Sequence, residues 1–245
     1  ELVEIEKSRS GISTDKLTDI KYGGLIGAKY SEITTTLGSL DAKETVANPD
    51  FSALIVRLLH DAGIDSNKVV GVNLSGSFPA LAISVFAAVQ TIKARAIVIS
   101  SLGSSTFGAN QPGATWIDIE NWLCEKGGSE IKSSMVTLGA EGDSGGGLFE
   151  EGVKILKNTA NKYGVNLFIP NSLREAIDKR AELYKDGKVT ILVNIGGNQA
   201  SLGNCSHSLT IPNGYHINIK SCSDYERGII MRLSEDGIPF IHLLY

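Results

Sequence analysis

From residue 51 onward, short apolar runs alternate with amphipathic stretches, and that alternation sets the expected fold. Phe51, Leu54, Ile55, Leu58 and Leu59 fall on one stripe at helical spacing, so residues 51–62 read as a helix. Asn48 is placed to cap it before Pro49, and Gly63 to end it. Residues 69–74 read as a buried strand leading into a helix over 79–92, with Pro79 in its first turn. That helix is apolar nearly all round, from Ala80 to Val89, so other elements must cover it. Strand and helix then repeat: 96–100 with 116–126, 134–138 with 148–163, and 165–169 with 173–185. A strand at 189–195 precedes a longer irregular region, a helix at 224–235 and a closing strand at 238–244. Parallel strands need crossovers, and those are usually helices. The pattern therefore predicts an α/β fold: a doubly wound, mostly parallel sheet of about six strands with helices on both faces, Rossmann-like. Residues 1–24 are polar and charged and read as an arm or linker; residues 25–245 read as one α/β domain.

Five polar, Gly/Ser-rich breaks each follow one of these strands. They are Ser75-Gly76-Ser77, residues 101–105, residues 139–147, Pro170-Asn171-Ser172 and residues 196–203. In a parallel sheet such breaks all emerge at the carboxyl ends of the strands, where open sheets place their ligand crevice. Small residues there let backbone N–H groups approach a ligand, and the helix starts that follow favour an anionic one. The expected ligand-binding set is Ser75, Gly76, Ser77, Ser101, Gly103, Ser104, Glu141, Asp143, Gly197, Asn198 and Gln199. Thr35 and Thr36 join it, because residues 34–38 read either as a hydroxyl-lined strap over the crevice or as a strand at the sheet's edge.

Composition narrows the class. A net charge of −4 with 20% charged residues leaves no basic footprint for nucleic acid. The longest apolar run, 80–89, is about half a membrane span and reads as a buried helix. The chain begins at Glu1 without an initiator Met or hydrophobic leader, which suggests that something upstream has been removed. Three cysteines do not make a disulfide framework: Cys124 reads as a core thiol, and Cys205 and Cys222 read equally well as a pair or as two free thiols.

The motifs are informative mainly for what they exclude. Residues 142–146 spell GDSGG, the string around the nucleophile of chymotrypsin-like proteases. That chemistry needs an all-β double barrel with an upstream His and Asp, whereas here the string lies between a strand and a helix. It reads better as a glycine-rich anion-binding loop in which Glu141 and Asp143 are candidate cation ligands or acid/base groups. Ser77 is placed as the N-cap of the 79–92 helix, which leaves Ser75 as the better functional hydroxyl. A nucleophilic Ser75 needs a base, and His242, near the end of the closing strand, is one candidate; His207 is the other. The candidate catalytic residues are thus Ser75, His242 and Asp143. There is no G-x-G-x-x-G, no Walker A string and no His/Cys spacing for zinc, so no cofactor or metal is expected.

Several strings together resemble one family. Leu25-Ile26-Gly27, residues 34–40, Asn48-Pro49 and residues 74–81 are similar to the poly-gamma-glutamate system protein family. Residues 99–103, Thr115-Trp116, the 139–143 loop, residues 194–197 and residues 239–244 continue the match in collinear order. The resemblance implies an accessory role in producing or exporting poly-γ-glutamate, a secreted capsule-like polymer. It implies poly-γ-glutamate or a glutamyl ligand, and a membrane synthase or export complex, as partners. It also implies a membrane-associated or extracytoplasmic location, through an anchor that this chain lacks. No catalytic residue comes with it. Lys29 and Lys43 are candidate countercharges for glutamyl carboxylates. The alternative implied function is a serine-dependent hydrolase or transferase acting on γ-glutamyl amide bonds, with Ser75 as nucleophile.

Overall fold

A computed structural model describes residues 24–220, 222, 223 and 227–244. Apart from Gly24, the arm placed at residues 1–24 lies outside them. Among the described residues two helices come first, α1 (Leu40–Val46) and α2 (Asp50–Asp61), followed by β1 (Val69–Ser75), α3 (Pro79–Ile92) and β2 (Arg95–Ser101). A small hairpin, β3 (Asn110–Gln111) and β4 (Ala114–Thr115), leads to α4 (Trp116–Glu125), β5 (Ser133–Thr137) and α5 (Glu150–Tyr163). The chain continues through α6 (Leu173–Asp186), β6 (Ile191–Ile195), α7 (Gln199–Leu202), β7 (Gly214–His216), α8 (Ile229–Glu235) and β8 (Phe240–Leu243).

The main sheet has the order β5-β2-β1-β6-β8-β7. Every neighbouring pair is parallel except β7 with β8. The chain winds outward from β1 through β2 to β5, then returns to the other side of β1 for β6 and β8. The winding direction therefore reverses between β1 and β6, the switch point where such sheets open a crevice. This is the Rossmann-like α/β architecture that the alternation predicts.

Side chains alternate across each strand, and the two faces bury separate cores. Val70, Val72, Leu74, Val98, Val136, Val193 and Ile241 share one core with residues of α2–α5. Val69, Ile99, Met135, Leu192 and Phe240 share the other with Ala181 and Tyr184 of α6 and with α8. The apolar helix α3 is covered as expected, with Ala82, Val85, Ala88 and Val89 fully buried. Among the described residues, no helix is long and apolar enough to cross a membrane.

Four local expectations are corrected. Residues 165–169 do not form a strand of the sheet. They touch β5 through one parallel bridge at Leu167, flanked by Val136 N–H to Asn166 O and Phe168 N–H to Val136 O, each 2.8 Å. Pro170, with no N–H to give, follows immediately. The sixth strand is instead the antiparallel β7, in the region that reads as irregular because Gly214-Tyr215-His216 carries no alternation. The last helix begins at Ile229 rather than at residue 224, and residues 224–226 lie outside the described residues. Finally, Ser77 does not cap α3: the N-cap is Phe78, with no side-chain bond, and Ser77 Oγ accepts from Ser105 N–H at 3.0 Å. Asn48 is likewise not the N-cap of α2, which is Pro49; it stands one residue upstream, where its Oδ1 accepts from Asp50 N–H at 3.0 Å.

Candidate functional site

A cleft of about 760 Å³ opens over the carboxyl ends of β1, β2, β5 and β6. Four of the five Gly/Ser-rich breaks contribute to it: Ser75 and Ser77, Gly103 and Ser105, Gly139–Glu141, and Gly197–Gln199. The fifth, after residue 169, does not. Residues 35–39 form the remaining wall. They are a strap rather than a sheet strand, pinned to the loop after β2. Thr35 N–H donates to Ser104 O at 2.8 Å, Thr106 N–H to Thr36 O at 2.9 Å, and Gly38 N–H to Thr106 Oγ1 at 2.7 Å. Small residues make these close approaches possible. A Cβ on Gly103 would lie 2.6 Å from Thr35 Cγ2 and 2.9 Å from Leu138 O, so any side chain there would push the strap away.

Among the described residues, two charged side chains line the cleft, Lys43 and Glu141. Glu141 is exposed, whereas Lys43 is buried, being 3% exposed. The Lys43 ammonium lies 3.4 Å from the centre of the Phe78 ring, donates to Ser77 O, and stands 3.1 Å from Ser105 Oγ. None of these partners carries a charge. Burial alone lowers its pKa to about 7. Lys29, the other candidate countercharge, is exposed and outside the cleft.

Beneath the cleft lies a buried polar layer on the α6 face of the sheet. Arg180, fully buried, is ion-paired with Asp143, Nη1 to Oδ2 at 2.5 Å. Its Nη2 donates to Ser101 Oγ at 3.1 Å and Thr137 Oγ1 at 3.2 Å, and its Nε to Asn73 Oδ1 at 3.1 Å. Asp143 Oδ1 accepts from the same Ser101 and Thr137 hydroxyls, at 2.9 and 2.8 Å. Asn73 Nδ2 continues the layer to Asn194 Oδ1 at 2.8 Å and to Ser201 Oγ at 2.6 Å. Asn198 Nδ2 ties the α7 turn down onto Ser101 Oγ at 2.8 Å. This layer fixes the loops that form the cleft.

That geometry corrects the catalytic expectations. Asp143 is not available as an acid/base group or cation ligand, because its carboxylate is consumed by Arg180 and two hydroxyls at 1% exposure. Its backbone is left-handed, with φ 62°, a conformation Asp tolerates, and this turns the side chain inward from the GDSGG loop. Ser75 and His242 are not brought together. His242 is level with Asn73 in the register, across β6, so it sits two strands over and two residues back from Ser75. Strand spacing alone separates them by about 10 Å. His242 instead approaches Asn194 Nδ2 through Nδ1 at 3.2 Å, fully buried, and burial lowers its pKa to about 4. Among the described residues, Ser75 Oγ receives only the Ser77 N–H, at 3.4 Å.

Of the expected ligand-binding residues, Thr35, Thr36, Ser75, Ser77, Gly103, Glu141, Gly197, Asn198 and Gln199 line the cleft. Gly76, Ser101, Ser104 and Asp143 support it from behind: Ser104 Oγ donates to Gly76 O at 3.0 Å, and Ser101 belongs to the buried layer. Sequence reasoning missed Ser105 as a lining hydroxyl, and Arg180, which reads as one more charge on an amphipathic helix. A fully buried arginine two turns into α6 announces itself only through a neighbour such as Asp143. Among the described residues, no group of three His, Cys, Asp or Glu side chains gathers as a metal site.

A second cavity, of about 740 Å³, lies at the amino end of β2 among Lys93, Arg95, Lys132 and Glu130. It is the more cationic of the two, but it is built from solvated surface side chains. Cys205 and Cys222 are disulfide-bonded, with Cα atoms 6.3 Å apart, and Cys124 is free. The bridge anchors the segment after Gly203, which sends Asn204 and Leu209 to the rim of the cleft. Comparison with protein-family models, curated proteins and solved structures finds no match to this chain.

Proposed function

We propose that the chain binds a glutamyl polymer, poly-γ-glutamate or an oligomer of it, in the switch-point cleft, as an accessory to the polymer's production or export. The observation that carries this reading is the cleft's lining of hydroxyls and close-packed backbone from the strap, the β1–α3 turn and the 197–199 turn. Such a surface offers many short donors to carboxylates and amides along an extended chain. It offers no fingerprint for a dinucleotide or a P-loop nucleotide. The collinear sequence resemblance supplies the identity of the polymer. A membrane synthase or export complex is the partner that reading implies, and the Cys205–Cys222 bridge favours an oxidising, extracytoplasmic compartment.

Titration of the protein with defined-length oligo-γ-glutamate at two ionic strengths tests the proposal. Binding that weakens as salt rises supports it, because partly exposed carboxylate contacts are screened. Absent or salt-insensitive binding counts against the polymer as ligand.

A further inference from the structure

We propose that Ser105 and Lys43 form a serine–lysine acyl-transfer pair on the wall of the cleft, with the Ser105 hydroxyl as nucleophile and the Lys43 amine as its base. The pair stands 3.1 Å apart, Nζ to Oγ, and both residues line the same cavity. That is the distance a base needs to remove a hydroxyl proton. Lys43 is delivered by α1, whose start is fixed by the Ser39 hydroxyl accepting from Ala42 N–H at 3.2 Å. Its other contacts, the Ser77 carbonyl and the Phe78 ring, hold the amine in place without supplying an anion to keep it charged. Desolvation therefore brings its pKa to about 7, which leaves a large fraction of neutral amine at physiological pH.

The surroundings suit an acyl donor. Ser105 N–H donates to Ser77 Oγ at 3.0 Å, which fixes the nucleophile's backbone and leaves the Ser77 hydroxyl proton free for a developing oxyanion. Gly38 crosses beside the nucleophile; a Cβ there would lie 2.7 Å from Ser105 Oγ, so the absence of a side chain keeps the hydroxyl uncrowded. In the reaction, Oγ bonds to the acyl carbon as its proton passes to Lys43. The carbon–nitrogen bond of the amide then breaks, and Lys43 returns the proton to the leaving amine. Water, deprotonated by Lys43, cleaves the acyl-serine, and its proton ends on Ser105. The proposal rests on the polymer reading only for the choice of substrate, a γ-glutamyl amide; the chemistry of the pair does not depend on it.

The test uses a fluorophosphonate probe, which needs an activated serine and no polymer. Attack by Oγ on phosphorus expels fluoride and leaves a stable mass tag. The expected result is one tag per folded chain, on the Ser105 peptide. The labelling rate should rise with pH through about 7 as Lys43 loses its proton. The β1–α3 turn and the 103–106 loop present no titratable group to Lys43. Glu141 lines the far wall of the cleft, and Asp41 and Glu44 stand on α1 itself. Lys43→Met should slow labelling about 100-fold or more, whereas Ser66→Ala, exposed in the turn before β1 at the other end of the sheet, should leave it unchanged. Ser105→Ala should abolish the tag; if that variant misfolds, Ser105→Cys replaces it, with iodoacetamide alkylation read at position 105, apart from the free Cys124, and again dependent on Lys43. A folded wild-type protein that takes no tag overturns the pair, as does a tag on another serine or labelling indifferent to Lys43→Met. Because polymer binding is measured separately, failure of the pair and failure of the polymer reading are distinguishable.

Discussion

At the scale of single residues, three buried ionisable groups decide most of the behaviour expected of this protein. Asp143 and Arg180 are opposite charges with essentially no exposure, so removing one leaves the other uncompensated. Asp143→Asn keeps the shape and the left-handed backbone but not the charge. It should cost about 3 kcal/mol in chemical denaturation, with Arg180→Met in the same chain recovering part of the loss. His242 acts through pH. Its folded pKa of about 4 lies below the ordinary 6.5, so the unfolded chain takes up a proton first as pH falls. No penalty exists above pH 6.5; it grows between 6.5 and about 4, reaching about 3 kcal/mol. Thermal unfolding from pH 7 to pH 4 should show His242→Gln losing less stability than the wild type; an equal loss in both would show that His242 is not the cause. None of the three could be placed from sequence. The GDSGG string suggests exposed chemistry at Asp143, and His242 reads as a site residue because the strand that carries it ends nearby. Strand register, which sequence does not give, buries His242, and the left-handed backbone at Asp143 turns its carboxylate inward to Arg180.

At the scale of elements, most of the framework was legible, because each strand and helix carries its own period. Helix α3 runs from Pro79 to Ile92 as the sequence predicts, since Pro79 fixes the start and the apolar run has only one use. The stretch at 165–169 has the composition of a strand yet makes a single bridge, and β7 has the pairing of a strand without its composition. Strand pairing at a sheet edge is decided by what lies alongside, and that information is not local. The strap at residues 34–38 is the element on which the cleft depends most. Thr106 Oγ1 accepts from Gly38 N–H at 2.7 Å and donates to Gly38 O at 3.1 Å while only 2% exposed. Thr106→Val deletes both bonds and leaves two backbone groups unsatisfied, a loss of about 1–3 kcal/mol. The expected consequence is faster amide exchange at Gly38 and weaker binding of oligo-γ-glutamate. Unchanged exchange at that amide would mean that the strap is held by other contacts.

At the scale of the whole molecule, the order β5-β2-β1-β6-β8-β7 gathers loops far apart in sequence over one end of the sheet. Their place at the carboxyl ends of the strands followed from parallel winding alone. Which of them meet across the switch point required the strand order. The Cys205–Cys222 bridge closes a sequence separation of 17 residues, a loop size for which cross-linking contributes about 3 kcal/mol. Peptide mapping without reductant should find these two cysteines joined and Cys124 alone alkylated. Reduction should lower the melting temperature; two free thiols at 205 and 222 in the native protein would contradict the bridge.

Hydrogen exchange with and without defined-length oligo-γ-glutamate addresses the cleft most directly, because the molecule offers two rival sites at opposite ends of its sheet. Protection is expected in residues 35–39, 75–78, 103–106, 139–141 and 197–199, the walls of the switch-point cleft. Protection centred instead on residues 93–97 and 130–132, around the basic cavity of Lys93, Arg95 and Lys132, would contradict the assignment. So would the absence of protection anywhere at polymer concentrations well above those that saturate a specific site.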